Sequence, residues 1–105
     1  MEIIYASLTS RQSDDGARPG HEADVVDALW AHALPDDGLQ HVSARREPGR
    51  VDLLLFLLTT DPSGGPGPLH RAHGLIARSH RLSPLLHRHY LPPELLTSAA
   101  APTHP

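Results

Sequence analysis

The residues in this sequence best able to do chemistry are its nine histidines, and their spacing decides what that chemistry could be. His70, His73, His80 and His87 lie in the last third of the chain. His70 and His73 are spaced i, i+3, so they share a helix face and could chelate a borderline metal such as zinc. A stable site takes three or four convergent ligands. The chain has no cysteine, and no Asp or Glu lies near this pair to complete a set. The expectation is therefore solvated or interface histidines, with no metal and no cofactor. Imidazoles with an ordinary pKa of about 6.5 keep a histidine-dependent, pH-responsive binder as an alternative reading.

Nucleophilic chemistry needs a hydroxyl held against a base. Ser7, Thr9, Ser10 and Ser13 follow one another near the end of an expected first strand, and His21 opens the next helix. Nothing in their spacing makes a triad. The sequence has no Gly-X-Ser-X-Gly and no Gly-X-Gly-X-X-Gly, and Gly64-Gly65-Pro66-Gly67 lacks the Lys-Ser/Thr of a phosphate loop. If the chain instead holds a small apolar ligand between sheet and helices, as a small dimeric enzyme or ligand-binding protein would, then Tyr5, Trp30 and His41 are the pocket candidates.

Charge is distributed unevenly. Residues 1–65 carry five Arg against eleven Asp or Glu, whereas residues 66–105 carry four Arg against Glu94 alone. Those four, Arg71, Arg78, Arg81 and Arg88, fall on the polar side of an expected helical region. Without interleaved exposed aromatics, and with a net charge of −3, they do not make a nucleic-acid footprint. They fit better as the solvated or partner-facing side of a basic helix, which could answer the acidic first helix of another subunit.

The element that must organise these groups is Val51 to Leu58, Val-Asp-Leu-Leu-Leu-Phe-Leu-Leu, a short apolar run bounded by turn signals. It reads as a strand buried on both faces. Before it, residues 2–9 form a first strand with Ile4, Ala6 and Leu8 on one face. Residues 10–20 form a polar loop. From Glu22 to Leu34 the residues Ala23, Val26, Leu29, Trp30 and Ala33 predict an amphipathic helix, which Pro35-Asp36-Asp37-Gly38 ends.

Residues 39–46 alternate weakly, with Gln40, Val42 and Ala44 facing one way, and suit an edge strand. Pro48-Gly49 supplies a type II turn into residues 51–59. After a Gly/Pro linker over 62–68, residues 69–82 place Leu69, Ala72, Leu75, Ile76, Ser79 and Leu82 on one helix side. Ser83-Pro84 then caps and starts a new short helix.

Strand, helix, strand, strand, helix predicts an α+β fold of ferredoxin-like (split βαβ) type. This is a βαββα sandwich with a three-stranded antiparallel sheet, two helices on one face, and a fourth strand that is short or missing. The expected division is one domain over 1–96 and a flexible tail over 97–105. Residues 94–100 are the only material for a fourth strand. Its absence leaves an edge carrying Ile3, Ile4 and Tyr5, which invites pairing.

The apolar run is far short of the ~20 residues of a membrane helix, and Met1 to Tyr5 does not resemble a secretory leader. A cytoplasmic protein is expected. The absence of lysine beside abundant Arg, Ala, Pro and Leu matches a GC-rich coding genome of actinobacterial type. The functional expectation is a small accessory module without catalytic activity. It would associate with itself, as a homodimer, or with a partner protein through its sheet edge and basic second helix, and not with nucleic acid or membrane.

Overall fold

Alternating side chains at 2–9 and 50–57 lie on opposite faces of a sheet, and this determines the layering of the molecule. A computed structural model describes residues 1–11, 21–59 and 67–94. Three strands, β1 (Glu2–Thr9), β2 (Leu39–Glu47) and β3 (Arg50–Leu57), form one antiparallel sheet in the order β1-β3-β2. The apolar β3 is central, as expected from its composition. Pro48 and Gly49 connect β2 to β3, with Gly49 at φ 76, the positive value that the third residue of a type II turn requires.

One face of the sheet carries Ile4, Ala6 and Leu8 from β1, Val51, Leu53, Leu55 and Leu57 from β3, and Leu39 and Val42 from β2, all buried. Val25 and Leu29 from helix α1 (His21–Ala31) and Ala72, Leu75 and Ile76 from helix α2 (Pro68–Leu82) close over them in the same apolar cluster. Each such fully buried Leu contributes about 2 kcal/mol relative to an exposed one.

Local chemistry explains where the helices begin and end. Glu22 and Asp24 lie in the first turn of α1, where carboxylates offset the positive end of the dipole. Leu34 is extended because it precedes Pro35, so α1 cannot continue through it. Pro35–Asp37 makes a single 3₁₀ turn that closes on Gly38 at φ 70. Pro68 starts α2, and Ser83, extended ahead of Pro84, stops it. The Ser83 hydroxyl then accepts from Leu86 N at 3.3 Å and caps helix α3 (Pro84–His89).

Four expectations need correcting. The run 51–58 is not buried on both faces: Leu54 and Phe56 are half-buried on the side away from the helices, and Leu58 is exposed. On α1 the buried stripe is Val25 and Leu29, whereas Ala23 and Trp30 are exposed. The helix meets the sheet along one narrow line, which leaves an indole at position 30 outside. On β2 a register shift between Leu39 and His41 makes Gln40 an extra, exposed residue, so Leu39 takes the inward place that strict alternation assigns to Gln40. On α2, Leu82 is exposed, while Arg71 and His80 are buried.

A bridge joins Ser10 to Tyr90. Arg11 N donates to His89 O at 2.9 Å and Leu91 N to Thr9 O at 2.8 Å, whereas Ser10 N turns the other way, to Gly49 O. Residues 89–91 therefore run along the side of β1 away from β3. Pro92 and Pro93 follow, and a proline has no N–H to extend the ladder. The candidate fourth strand from residue 95 on, the tail 97–105, and most of the loop 10–20 and linker 62–68 lie outside the described residues.

Candidate functional site

The face of the sheet opposite the helices brings exposed apolar side chains together with hydroxyl, carboxylate and imidazole groups. Register sets its rows. Ile3 lies opposite Phe56, which lies opposite His41; Tyr5 opposite Leu54 opposite Ser43; Ser7 opposite Asp52 opposite Arg45. No described helix covers them. Ile3 is 49% exposed, Tyr5 46% and Leu58 48%. The His41 and Phe56 rings pack with centroids 5.4 Å apart. One end of the face is thus apolar and aromatic, the other polar.

Asp52 anchors the polar end. Its carboxylate accepts from Arg50 Nε at 2.7 Å and from Ser7 Oγ at 2.8 Å, and the Tyr5 hydroxyl also hydrogen-bonds it. Burial pushes the Asp52 pKa up. The hydrogen bonds from Arg50, Ser7 and Tyr5 and the Arg50 charge outweigh it, so the carboxyl lies below its ordinary value of 3.8. Tyr5 is displaced upward, by partial desolvation first and then by the Asp52 charge.

A carboxylate held low by a cation is a weak general base at neutral pH. The row that holds His41 lies four residues along β3 from that of Ser7, about 13 Å at strand rise. Ser7, Asp52 and His41 therefore do not form a nucleophile–base pair.

The other sequence candidates are scattered across the molecule. Ile4 is fully buried in the core, so of the three edge residues Ile3 and Tyr5 are available at the surface. Tyr5 and His41 share the open face, but Trp30 lies on α1 beyond the opposite face, so the three do not line one pocket. His70 is exposed and His73 half-buried. Among the described residues no three His, Asp or Glu gather to hold a metal ion.

Arg71 is 6% exposed and donates through Nη1 to Asp37 O at 3.0 Å and through Nη2 to Leu58 O at 3.1 Å. Arg78 pairs with Asp37 at 2.5 Å and donates from Nε to His32 O at 3.2 Å. These two arginines fasten α2 to the turn after α1. Arg81 and Arg88 are exposed.

Sequence reasoning missed Asp52, Leu54 and Phe56 as residues of the open face of the sheet, Asp52 buried and the other two half-buried there. The signal was Asp52 itself, a carboxylate inside an apolar strand, which marks by period two the face that carries Leu54 and Phe56. It also missed a cluster around Tyr90. There His80 Nε2 lies 2.8 Å from the Tyr90 carbonyl, to which it donates, and the His21 and His89 rings pack at 5.2 Å. Burial raises the Tyr90 pKa, and the Glu22 charge adds to the shift.

No family model, no curated protein and no solved structure matches this chain. Among the described residues no helix is long and apolar enough to cross a membrane.

Proposed function

We propose that this chain is a small cytoplasmic accessory module without catalytic activity, which binds a second copy of itself or a larger protein through the open face and free edge of its sheet. The observation that carries the reading is the apolar end of that face. Ile3, Tyr5 and Leu58 are each about half exposed and continue into Leu54 and Phe56 with no described element over them. A contiguous apolar surface of this kind is stabilised by being covered. The β1 edge adds to it, since among the described residues the backbone hydrogen bonds across that edge are those of Thr9 and Arg11, at its far end.

The strand order, with Tyr90 bridged to the outer side of β1, supports assigning the chain to a ferredoxin-like arrangement whose fourth strand is reduced to a single bridge. That likeness implies no activity. Native mass spectrometry of the untagged protein tests the reading alongside Ile3→Glu, a substitution at an exposed position. The native chain is expected as a dimer or in complex with a retained partner, and Ile3→Glu as a monomer. A chain that stays monomeric at high concentration and retains no partner overturns it.

A further inference from the structure

The outer surfaces of the two long helices carry opposite charge. With Val25 and Leu29 facing the core, α1 turns Asp24, Asp27 and Trp30 outward, the indole 44% exposed. With Ala72, Leu75, Ile76 and Ser79 facing the core, α2 turns His70 and Arg81 outward, and the small Gly74 and Ala77 lie between them. Arg88 on α3 extends the basic side. None of the ion pairs among the described residues uses these charges: Arg45 pairs with Glu47, Arg50 with Asp52, and Arg78 with Asp37. An acidic and a basic surface thus lie on one layer, both facing out, and among the described residues no ion pair joins them.

We infer that a second copy of this chain docks on the helix layer about a two-fold axis running parallel to the helices, so that α1 of each copy lies on α2 of the other. This rests on the reading of the chain as a self-associating module, and it names the partner and the residues for a surface separate from the sheet. Charge complementarity and two-fold symmetry together support this contact. Rotation about that axis exchanges the two helices without moving them along it, so heights within one copy carry over to the contact.

The helices run in opposite directions, because α1 returns the chain between the parallel β1 and β2 while α2 returns it from the end of β3. Arg78 Nε reaches His32 O and both Arg71 and Arg78 reach Asp37, so with helix side chains leaning toward the N-terminus the end of α1 lies beside the middle of α2. Trp30 of one copy therefore comes over Gly74 and Ala77 of the other, where little side chain stands in its way. Asp27 comes beside Arg81, and Asp24 lies toward Arg88. The indole supplies buried apolar area at the centre of the contact, and the flanking charges set its orientation.

Sedimentation velocity on single and mixed charge-reversal variants tests the contact. Asp27→Arg and Arg81→Asp are each expected to weaken self-association about tenfold, and an equimolar mixture of the two to restore it, since both contacts in the mixed dimer again pair opposite charges. Both positions are exposed, and restoration on mixing rules out misfolding as the cause. Self-association unchanged by either reversal, or not restored by mixing, overturns the helix contact. If Ile3→Glu abolishes association while the charge variants leave it unchanged, only the helix contact falls. A native chain that stays strictly monomeric removes both surfaces.

Discussion

Arg78 Nη2 lies 2.5 Å from Asp37 Oδ2, and the same Asp37 oxygen accepts the Leu34 amide at 2.7 Å. One carboxylate thus joins the second helix to the turn that ends the first. The two side chains are 21% and 10% exposed. Removing one partner leaves the other largely desolvated, which is costlier than losing an exposed pair. Arg78→Ala is expected to lower stability by about 2–3 kcal/mol, and Arg81→Ala by no more than about 0.5 kcal/mol. Urea denaturation midpoints would separate them; equal midpoints would show that the ion pair contributes nothing.

Gly38 is needed twice over. Its φ of 70 is strained for any residue with a Cβ, and a Cβ there would meet Arg71 Nη1 at 2.8 Å. A Cβ added at Gly49, at φ 76, would meet nothing within 4 Å. Gly49→Ala should therefore cost only the backbone strain, about 1 kcal/mol. Gly38→Ala should cost more, because the guanidinium must leave Asp37 O. A Gly38→Ala chain no less stable than Gly49→Ala would show that Arg71 yields freely.

The Asp52 cluster gives a pH dependence of known sign. Its carboxyl is held below 3.8 in the folded chain, so the unfolded state binds the proton more readily. The stabilisation is complete above the unfolded value and is lost as pH falls through the folded one. Asp52→Asn is expected to flatten the acid limb of stability below about pH 4. Parallel acid limbs for the two chains, measured by denaturation from pH 2 to 6, would refute it.

Ser79 is fully buried on α2, and among the described residues its hydroxyl has no hydrogen-bond partner. Ser79→Ala removes a desolvated polar group and improves helix propensity, so it should raise stability by about 1 kcal/mol. A lower melting temperature would mean that the hydroxyl is satisfied in solution by a bond the structure does not hold.

The β2–β3 hairpin was legible because Pro48-Gly49 meets the dihedral demands of its turn and the flanking residues favour strands. Helix α3 was legible because Ser83-Pro84 is both a stop and a start. The roles of Arg71 and Arg78 were not: their partners are a backbone carbonyl at Leu58, another at His32, and both the carbonyl and the carboxylate of Asp37, all distant in the chain. An arginine beside an apolar helix stripe looks the same in sequence whether it is solvated or anchored. The open face was half legible, in that Asp52 interrupts the apolar run, but the run's overall hydropathy suggested cover on both sides.

Sequence by itself determined the order and type of the elements, the central place of β3 and the capping chemistry, since these follow from local dihedral preference and from hydrophobic period within a few residues. Tertiary structure alone decided which stripe of α1 is buried, where β2 shifts register, which arginines are internal and which side of the sheet stays open. Those outcomes depend on contacts between residues tens of positions apart, and on there being too few described helices to cover a three-stranded sheet on both faces.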